Sequence, residues 1–281
     1  MKIVWGSFAL DFSKKTCIMG ILNITPDSFS DGGLHFDASI AVDRGLRMVD
    51  EGADIIDIGG ESTRPGSSAV PVGEELRRTI PVIESLSSKV RVPISIDTYK
   101  SEVARRALDA GASFVNDISG LRADPEMPAL VARYGVPVAI MHMKGSPKDM
   151  QKDPSYTALI PEITEYLRSG IEIAIRAGVR EDRIIIDPGI GFGKTFDHNL
   201  EIINHLEKIV SIGKPVLIGP SRKAFIGKIL NNAPPTDRIE GTAATVAISV
   251  MKGASIVRVH DVRAMARVVR VADAIKKEHI S

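Results

Sequence analysis

The stretch ADIIDIGGEST at residues 53–63 is a short apolar run that ends in polar residues, and this pattern decides the fold. The run is too short for a helix and rich in isoleucine, as expected of a strand that is buried on both faces. A helix-like segment follows it. The same combination recurs in PISIDTYK (93–100), GASFVNDISG (111–120), RIIIDPGIGFG (183–193), PVLIGPSRK (215–223) and GASIVRVHD (253–261).

The alternation of strands and helices predicts an α/β fold with a parallel sheet. About eight such units fit the chain, which predicts a single TIM (β/α)8 barrel spanning residues 1–281 as one domain. A first barrel strand is expected at Cys17–Asn23, and a short N-terminal hairpin at Lys2–Phe12 is expected to close the bottom of the barrel. The alternative is a doubly wound sheet, but no strand leads into a GxGxxG motif.

Apolar periodicity predicts helices at Ser101–Ala110, Ile160–Ala177 and Val262–Ile275. In the last two helices the pattern assigns Ile175 and Ile275 to the buried face. Gly-Ala pairs precede three of the predicted strands, and we expect one helix-to-strand turn, used three times, in which the glycine is the C-cap. The pairs are residues 52–53, 111–112 and 253–254.

Composition limits the partners and the location. Lys plus Arg (36) nearly balances Asp plus Glu (35), so no global field favours nucleic acid or an acidic membrane. The one cysteine, Cys17, excludes an intramolecular disulfide and a multi-cysteine metal site, and it suits a reducing compartment. Met1–Leu10 does not resemble a signal peptide, and no apolar run reaches membrane-spanning length. We expect a cytoplasmic protein with small-molecule partners, neither nucleic acid nor membrane.

Polar residues follow or end the predicted strands, and the carboxyl ends of parallel barrel strands meet at one mouth. For each single carboxylate the alternative is a helix cap or an ion pair with a neighbouring arginine. Together, Asp and Asn side chains offer the acceptors and donors that can read the edge of a heterocycle. The residues expected at the mouth are Asp57, Asp97, Asn116, Asp187, Lys223 and Arg258.

Cationic residues cluster near the last two predicted strands. Ser221, Arg222 and Lys223 open a helix, and Arg258 and His260 alternate along a strand, which puts their side chains on the same face. The alternatives are an ion pair for Arg258 and a buried core position for His260. With Arg64 and Lys223, these two residues form a candidate grip for a diphosphate, because arginine binds phosphate oxygens bidentately.

The segment PGIGFGKT (188–195) differs from the phosphate-binding GxxxxGK[ST] pattern only at Pro188. Because proline lacks an N–H and fixes φ, we expect the glycines to admit a flat ligand rather than to cradle a triphosphate. The six histidines show no HExxH spacing. A hard cation such as Mg²⁺ could be held by one side-chain oxygen, from Asn23 or Asp27, together with substrate phosphates and water.

The motifs, taken in order, resemble those of the dihydropteroate synthase family from about Cys17 to Val262. They are ILNITPDSFSDGG, DIGGESTRPGS, PISIDTYK, VNDISG, MHMKGSPKDMQ, IDPGIGFGKT, GPSRKAFIG and RVHDV. The resemblance implies a TIM barrel that condenses 6-hydroxymethyl-7,8-dihydropterin diphosphate with 4-aminobenzoate and releases diphosphate. It further implies Mg²⁺ as cofactor and a homodimer.

The resemblance also implies roles for individual residues. The pterin would be bound by Asp97, Asn116, Asp187 and Lys223, with Met141 and Phe192 lining its pocket. Asn23 would contact Mg²⁺ and diphosphate, and the diphosphate would be held by Thr63, Arg258 and His260. The residues expected to act in catalysis are Asp97, Lys223, Arg258 and His260, and Arg64 and Val259 are expected to contact substrate.

Two loops, residues 24–33 and 63–68, would fold over the 4-aminobenzoate site. Phe29 and Pro65 would form its apolar walls, and Ser221 with the following helix N-terminus would meet the carboxylate. Ala224 is a departure, because many relatives carry a serine after the SRK triplet. Two other functions stay open: a pterin-binding methyltransferase module of the corrinoid-dependent kind, which the TPDSFSDGG loop and the SRK triplet disfavour, and a pterin-binding protein without turnover.

Overall fold

The computed structural model describes residues 1–25, 38–63, 66–152 and 154–279. Two antiparallel strands, β1 (Lys2–Trp5) and β2 (Phe8–Asp11), form the predicted N-terminal hairpin. Ile3, Trp5 and Leu10 of the hairpin are buried in the main core. The hairpin contacts the short 3₁₀ turn Glu181–Arg183, which enters a barrel strand at its amino end, so the hairpin lies at the bottom of the barrel as predicted.

Eight parallel strands follow in one sheet, whose order is β8-β7-β6-β5-β4-β3-β10-β9. A parallel bridge between Ile186 and Val216 joins β8 to the residue before β9 and completes the ring. The predicted (β/α)8 barrel is therefore confirmed, and the open doubly wound sheet is excluded. The strands are β3 (Cys17–Asn23), β4 (Ile55–Gly59), β5 (Ile94–Asp97), β6 (Phe114–Asp117), β7 (Val138–Met141), β8 (Ile184–Asp187), β9 (Leu217–Ile218) and β10 (Ile256–Val259).

The three predicted helices agree with the structure to within two residues, but Ile175 and Ile275 are exposed. That part of the prediction was wrong, because a step of four residues rotates about 40° beyond a full helical turn and a step of three falls about 60° short of one. Repeated steps of four before Ile175, and of three before Ile275, carry the apolar stripe off the buried face. No described helix is long and apolar enough to cross a membrane. The helices are α1 (Ala38–Asp50), α2 (Val72–Ser87), α3 (Ser101–Asp109), α4 (Met127–Tyr134), α5 (Leu159–Arg176), α6 (Phe196–Asn204), α7 (Leu206–Val210), α8 (Ala224–Ile229), α9 (Ile239–Met251) and α10 (Val262–Lys277).

The Gly-Ala pairs form one turn used repeatedly, as predicted, but the C-cap of α3 is Ala110 and that of α9 is Lys252, so in these helices the glycine follows the C-cap. Gly52, Gly111 and Gly253 have φ values of 105°, 113° and 104°, which favour glycine over any residue with a Cβ. In each turn the glycine N–H bonds to the carbonyl three residues back, and the alanine N–H to the carbonyl five residues back. Gly178 and Val179 repeat the pattern before β8. The turn ends a helix and aims the chain into the next strand.

The strand register brings the polar residues to one layer at the carboxyl end of the barrel. Asp97 lies beside Gly59 on one side and Asn116 on the other, and Asn23 lies on the far side of Gly59. Asp57 does not close its strand as predicted. It lies within β4, two residues before the end, so its carboxylate sits one layer deeper than Asp97.

Candidate active site

Arg258 links two carboxylates at the centre of the barrel mouth. Its Nε donates to Asp57 Oδ2 at 2.6 Å, and its Nη2 donates to Asp97 Oδ2 at 2.6 Å. Asn116 Nδ2 donates to the same Asp57 oxygen at 3.1 Å. The ion pair considered as the alternative role of Arg258 is therefore present, with two partners. Because one guanidinium is held from two strands, its orientation is fixed before any ligand arrives.

The two carboxylates keep unused acceptors. Asp57 Oδ1 and Asp97 Oδ1 are buried and have no hydrogen-bond partner in the described part of the chain. Burial raises the pKa of Asp97, Arg258 opposes this rise, and the nearby charge of Asp57 adds to it. A buried acceptor without a partner is costly, and a ligand N–H would satisfy it.

Asp187 ends β8 and shapes the next loop. Its Oδ1 accepts the N–H of Gly189 at 2.7 Å, and the residue is 5% exposed. Burial raises the pKa of Asp187 to about 6, although the Gly189 N–H and the charges of Lys194, Lys223 and Arg258 favour the ionised form. The group therefore changes charge close to neutral pH.

Lys223 and Phe192 form one wall of the site. Lys223 Nζ lies 4.2 Å from the centroid of the Phe192 ring, within the range of a cation–π contact. Burial, followed by repulsion from Arg258, lowers the pKa of Lys223 to about 8. Gly191 has a φ of 82°, and a Cβ there would lie 2.9 Å from Lys223 Cδ. Met141 is buried beside Gly189 and extends this wall.

Lys194 was not predicted as a site residue. It is 2% exposed, its Nζ donates to Phe192 O at 2.9 Å, and it lies 3.0 Å from His142 Nδ1. Burial lowers the pKa of Lys194 to about 7 and that of His142 to about 2, so the histidine ring is neutral and can accept from the ammonium. Since this lysine points inward, residues 188–195 do not form a triphosphate cradle, in agreement with the rejection of that motif.

Ser221 orients the His260 ring. Its Oγ accepts the backbone N–H of His260 at 3.2 Å and lies 3.0 Å from the ring Nδ1. Burial lowers the pKa of His260 to about 3, so the ring is neutral. We assign the serine proton to Nδ1, which leaves the proton on Nε2 as a donor. Arg222, at φ 60°, pairs with Asp261 at 2.6 Å and holds the turn that precedes Lys223.

Asn23 is half-buried at the end of β3, and its side chain has no hydrogen-bond partner among the described residues. A Cβ added to Gly59 would lie 3.7 Å from Asn23 Oδ1 and 3.6 Å from Asp97 Oδ2, so the two side chains face each other across this glycine. Within the described ranges no three His, Cys, Asp or Glu side chains cluster as a metal site. A single amide oxygen fits a Mg²⁺ ion whose other ligands are phosphate oxygens and water.

Of the remaining predicted site residues, the structure describes only Val259 and Thr63. Val259 is fully buried in the core and alternates with Arg258 along β10, so only its backbone could contact a ligand. Thr63 is half-buried after β4. Asp27, Phe29, Arg64 and Pro65 lie outside the described residues, as does most of the 24–33 loop.

Comparisons with known protein families and with curated proteins point to the same family. The family model described as pterin binding enzyme matches residues 19–260. A dihydropteroate synthase of Synechocystis is 48% identical over 270 residues, which cover 96% of this chain and 93% of the relative. The enzyme of the same name from Escherichia coli K12 is 43% identical over 274 residues, which cover 98% of this chain and 96% of the relative.

Solved structures of dihydropteroate synthases superpose closely on this chain. The Yersinia pestis dihydropteroate synthase, determined with a sulfonamide drug complex, superposes with a TM-score of 0.93 at 41% identity and covers 99% of this chain and 100% of its own. The Xanthomonas albilineans enzyme with 4-aminobenzoic acid gives a TM-score of 0.90 at 45% identity, with 95% of each chain covered.

Proposed function

We propose an activity for this chain from the premise that it belongs to the pterin binding enzyme family, among the dihydropteroate synthases. The chain is a transferase of folate biosynthesis that condenses 6-hydroxymethyl-7,8-dihydropterin diphosphate with 4-aminobenzoate and releases diphosphate. The observation that carries this function is the layer of Asp97, Asn116 and Arg258 at the barrel mouth, with Asp187 and Lys223 beside it.

In this proposal the pterin ring is read by hydrogen bonds from the barrel. Asp97 Oδ1 is an unused acceptor for a ring N–H, and Asn116 keeps its amide oxygen because its amide nitrogen is held by Asp57. Asp187 accepts a second N–H group, and Lys223 donates to a ring carbonyl or nitrogen. Phe192 and Met141 contact the flat faces.

The chemistry requires departure of diphosphate and attack by an amine. The bond between the pterin methylene carbon and the diphosphate oxygen breaks with its electron pair, and the positive charge that remains is delocalised over the pterin. Asp97 and Asp187 stabilise this charge, while Arg258 Nη1 and His260 Nε2–H donate to the departing anion, with Thr63 and Arg64 at its outer side. The amine of 4-aminobenzoate forms the new C–N bond and loses a proton. No covalent enzyme intermediate is needed.

Mg²⁺ is the proposed cofactor, with Asn23 Oδ1 as its protein ligand. When bound, it neutralises charge on the leaving diphosphate. Asn23→Ala is expected to raise the Mg²⁺ concentration needed for half-maximal turnover about tenfold, a loss of about 1.4 kcal/mol, while affinity for a pterin without diphosphate is unchanged. Calorimetry and a Mg²⁺ titration of turnover measure these two quantities. Full activity in the presence of a chelator would exclude this role.

The 4-aminobenzoate site is proposed to lie between the two loops, with Phe29 and Pro65 as walls, and it would also be the site of sulfonamide competition. Ser221 is proposed to face the carboxylate, although its hydroxyl already bonds to His260. Ala224, the first residue of α8, supplies no hydroxyl there. Contact of the Val259 backbone with substrate stays a prediction.

We further propose that residues 1–281 act as one pterin-binding domain, as a cytoplasmic homodimer. The continuous core supports the single domain, and the lone buried cysteine suits the cytoplasm. Exposed apolar side chains on the adjoining helices α8, α9 and α10, among them Ile229, Ile248 and Val271, support the dimer.

The test is a release assay with each component omitted in turn. Protein, pterin diphosphate, 4-aminobenzoate and Mg²⁺ together are expected to release diphosphate and to form one dihydropteroate for each diphosphate. Omission of any one component is expected to stop product formation. Pterin binding with no release in the complete mixture would indicate a binding protein without turnover.

A further inference from the structure

The loop that follows β8 carries three glycines in the left-handed region. Gly189, Gly191 and Gly193 have φ values of 70°, 82° and 60°. A backbone so rich in glycine visits many conformations unless other groups restrain it. The same loop carries Phe192, whose ring forms one wall of the proposed pterin site together with Lys223. The position of this wall in the free protein therefore depends on the contacts that restrain the loop.

The carbonyl groups on either side of Phe192 each accept a hydrogen bond from a side chain of the connection between β7 and α5. Gln151 Nε2 donates to the Gly191 carbonyl at 3.0 Å. Tyr156 OH donates to the Gly193 carbonyl at 2.7 Å. The Phe192 carbonyl between them accepts from the lysine two residues further on, at 2.9 Å. Three consecutive carbonyl groups of the loop are thus each held by a side chain.

Asn199 of α6 restrains the same loop from another side. Its Oδ1 accepts the N–H of Gly191 at 2.7 Å, and its Nδ2 donates to the Thr195 carbonyl at 2.6 Å. The asparagine is buried, so both bonds are shielded from water. Gly191 is therefore held through its N–H by α6 and through its carbonyl by Gln151. Gln151, Tyr156 and Asn199 are not among the residues assigned to substrate or metal.

Of the two donors from the β7–α5 connection, Tyr156 is the better fixed. Its ring packs edge-on against the His198 ring, with centroids 5.1 Å apart, and Lys144 Nζ lies 4.5 Å from its centroid. Burial raises the pKa of Tyr156, so the hydroxyl stays protonated and remains a donor. Gly193 is buried, so loss of the hydroxyl leaves a buried carbonyl without this donor, which is costly. Gln151 is exposed, and water can replace its amide.

We propose that Tyr156 is a positioning residue for the pterin: its hydroxyl holds the Gly193 carbonyl and thereby keeps the Phe192 ring where it contacts the flat face of the pterin. This inference rests on the proposed function. Without the hydroxyl the loop populates other conformations, and the apparent affinity falls with the fraction of molecules that stay competent to bind. Arg258 and His260, which are proposed to bind the diphosphate, lie at β10, so the effect is confined to the pterin ring.

The experiment uses variants that remove one donor and no charge. Tyr156→Phe removes only the hydroxyl and keeps the ring contacts, and Gln151→Met removes the exposed donor on the other side of Phe192. Tyr134→Phe is the matched control: this hydroxyl donates to Asp109 Oδ1 at 2.6 Å, at the end of α4 that leads into the amino end of β7. Calorimetry with 6-hydroxymethyl-7,8-dihydropterin and with its diphosphate, steady-state kinetics and urea unfolding are measured for each protein.

Tyr156→Phe is expected to lower the affinity for both ligands by the same factor, about threefold to tenfold, and to raise the KM for the pterin diphosphate, with kcat within about twofold of the parent. Gln151→Met is expected to give a smaller loss, and Tyr134→Phe none.

A tyrosine that only stabilises the fold would lower the free energy of unfolding and leave both affinities unchanged, and that result would overturn the proposal. A loss confined to the ligand that carries the diphosphate would overturn it as well. Failure of the unaltered protein to bind either ligand would overturn the proposed function, and this inference with it.

Discussion

The barrel mouth contains two charged regions that are built differently. In the first, Arg258 contacts Asp57 and Asp97 directly, at 2.6 Å each. In the second, the buried ammonium groups of Lys194 and Lys223 have no carboxylate oxygen within 4.0 Å among the described residues, and Asp187 bonds to a backbone N–H. The first region is fixed by ion pairs, whereas the second holds separated charges.

This difference predicts different responses to pH. The guanidinium beside two carboxylates has a raised pKa and stays charged at every physiological pH. In the second region, burial moves the pKa of Asp187 up to about 6, that of Lys194 down to about 7 and that of Lys223 down to about 8. The first region therefore supplies constant geometry, and the second supplies groups that titrate where an enzyme works.

The largest effect is expected when the fixed region is broken. Arg258→Met leaves Asp57 and Asp97 buried without a cation, which typically costs about 3–5 kcal/mol of unfolding free energy. Turnover is expected to be lost. Urea unfolding and diphosphate release measure the two effects.

The control restores charge balance without restoring function. Asp57→Asn combined with Arg258→Met removes one buried charge of each sign and is expected to regain part of the stability while turnover stays absent. If the double variant is no more stable than the single one, the stranded Asp57 charge is not the cause of the loss.

A smaller effect is expected in the region of separated charges. Asp187→Asn removes the proposed acceptor for a pterin N–H, which is expected to lower pterin affinity about tenfold to a hundredfold, or about 1–3 kcal/mol. Calorimetry with the pterin alone is the measurement. Asp182→Asn, at an exposed carboxylate paired with Arg180 at 2.7 Å, is the control. Unchanged affinity in Asp187→Asn would mean that this carboxylate only shapes the Gly189 turn.

The sequence is sufficient to predict the barrel and the residues at strand ends. Asp97, Asn116 and Asp187 were predicted because parallel strands converge at their carboxyl ends, whatever the details of packing. The two carboxylate partners of Arg258 could not be predicted. Its contacts with Asp57 and Asp97 depend on the register of strands that lie far apart in sequence. Asp57 was expected in the same layer as Asp97 and lies deeper.

Lys194 shows why the remainder could not be predicted. The glycines of GFGK predict a loop that admits a flat ligand, and nothing local in the sequence indicates that the lysine is buried. Its environment comes from residues 142–144: a Cβ at Gly189 would lie 2.0 Å from His142 O, and one at Gly193 would lie 2.3 Å from Lys144 O. The lysine is buried because two loops pack backbone to backbone, which only glycine permits here.

The pH dependence of pterin affinity tests whether the charged groups of the second region titrate as expected. In the proposed pterin site ionised Asp187 is the acceptor, so affinity is expected to be present above the pKa of about 6 and lost as pH falls through it. Protonated Lys223 is the proposed donor, so affinity is expected to be present below the pKa of about 8 and lost as pH rises through it. Calorimetry between these limits and beyond should give a bell-shaped curve. Asp187→Asn should remove only the acidic limb, and a curve flat across this range would contradict the assignment.

The smallest effect is expected at Lys194. In Lys194→Met an apolar chain of similar volume replaces a buried charge, so unfolding free energy is expected to change by less than about 1 kcal/mol. The charged groups that face Lys194 are Asp187 and Lys223. Loss of the ammonium removes an interaction that lowers the pKa of Asp187, so the acidic midpoint of pterin affinity should move above about 6.

Lys144→Met is the control for this variant, because Lys144 lies on the adjoining loop but is exposed and donates to the Ser155 carbonyl. At pH 7 the Lys194→Met protein is expected to bind pterin about threefold more weakly, and at pH 8 the deficit should shrink as Asp187 ionises in both proteins. A deficit that does not depend on pH would indicate that Lys194 acts only through its bond to the Phe192 carbonyl, as a fixed support like Arg258. The second region would then act through fixed geometry, as the first region does, and not through groups that titrate.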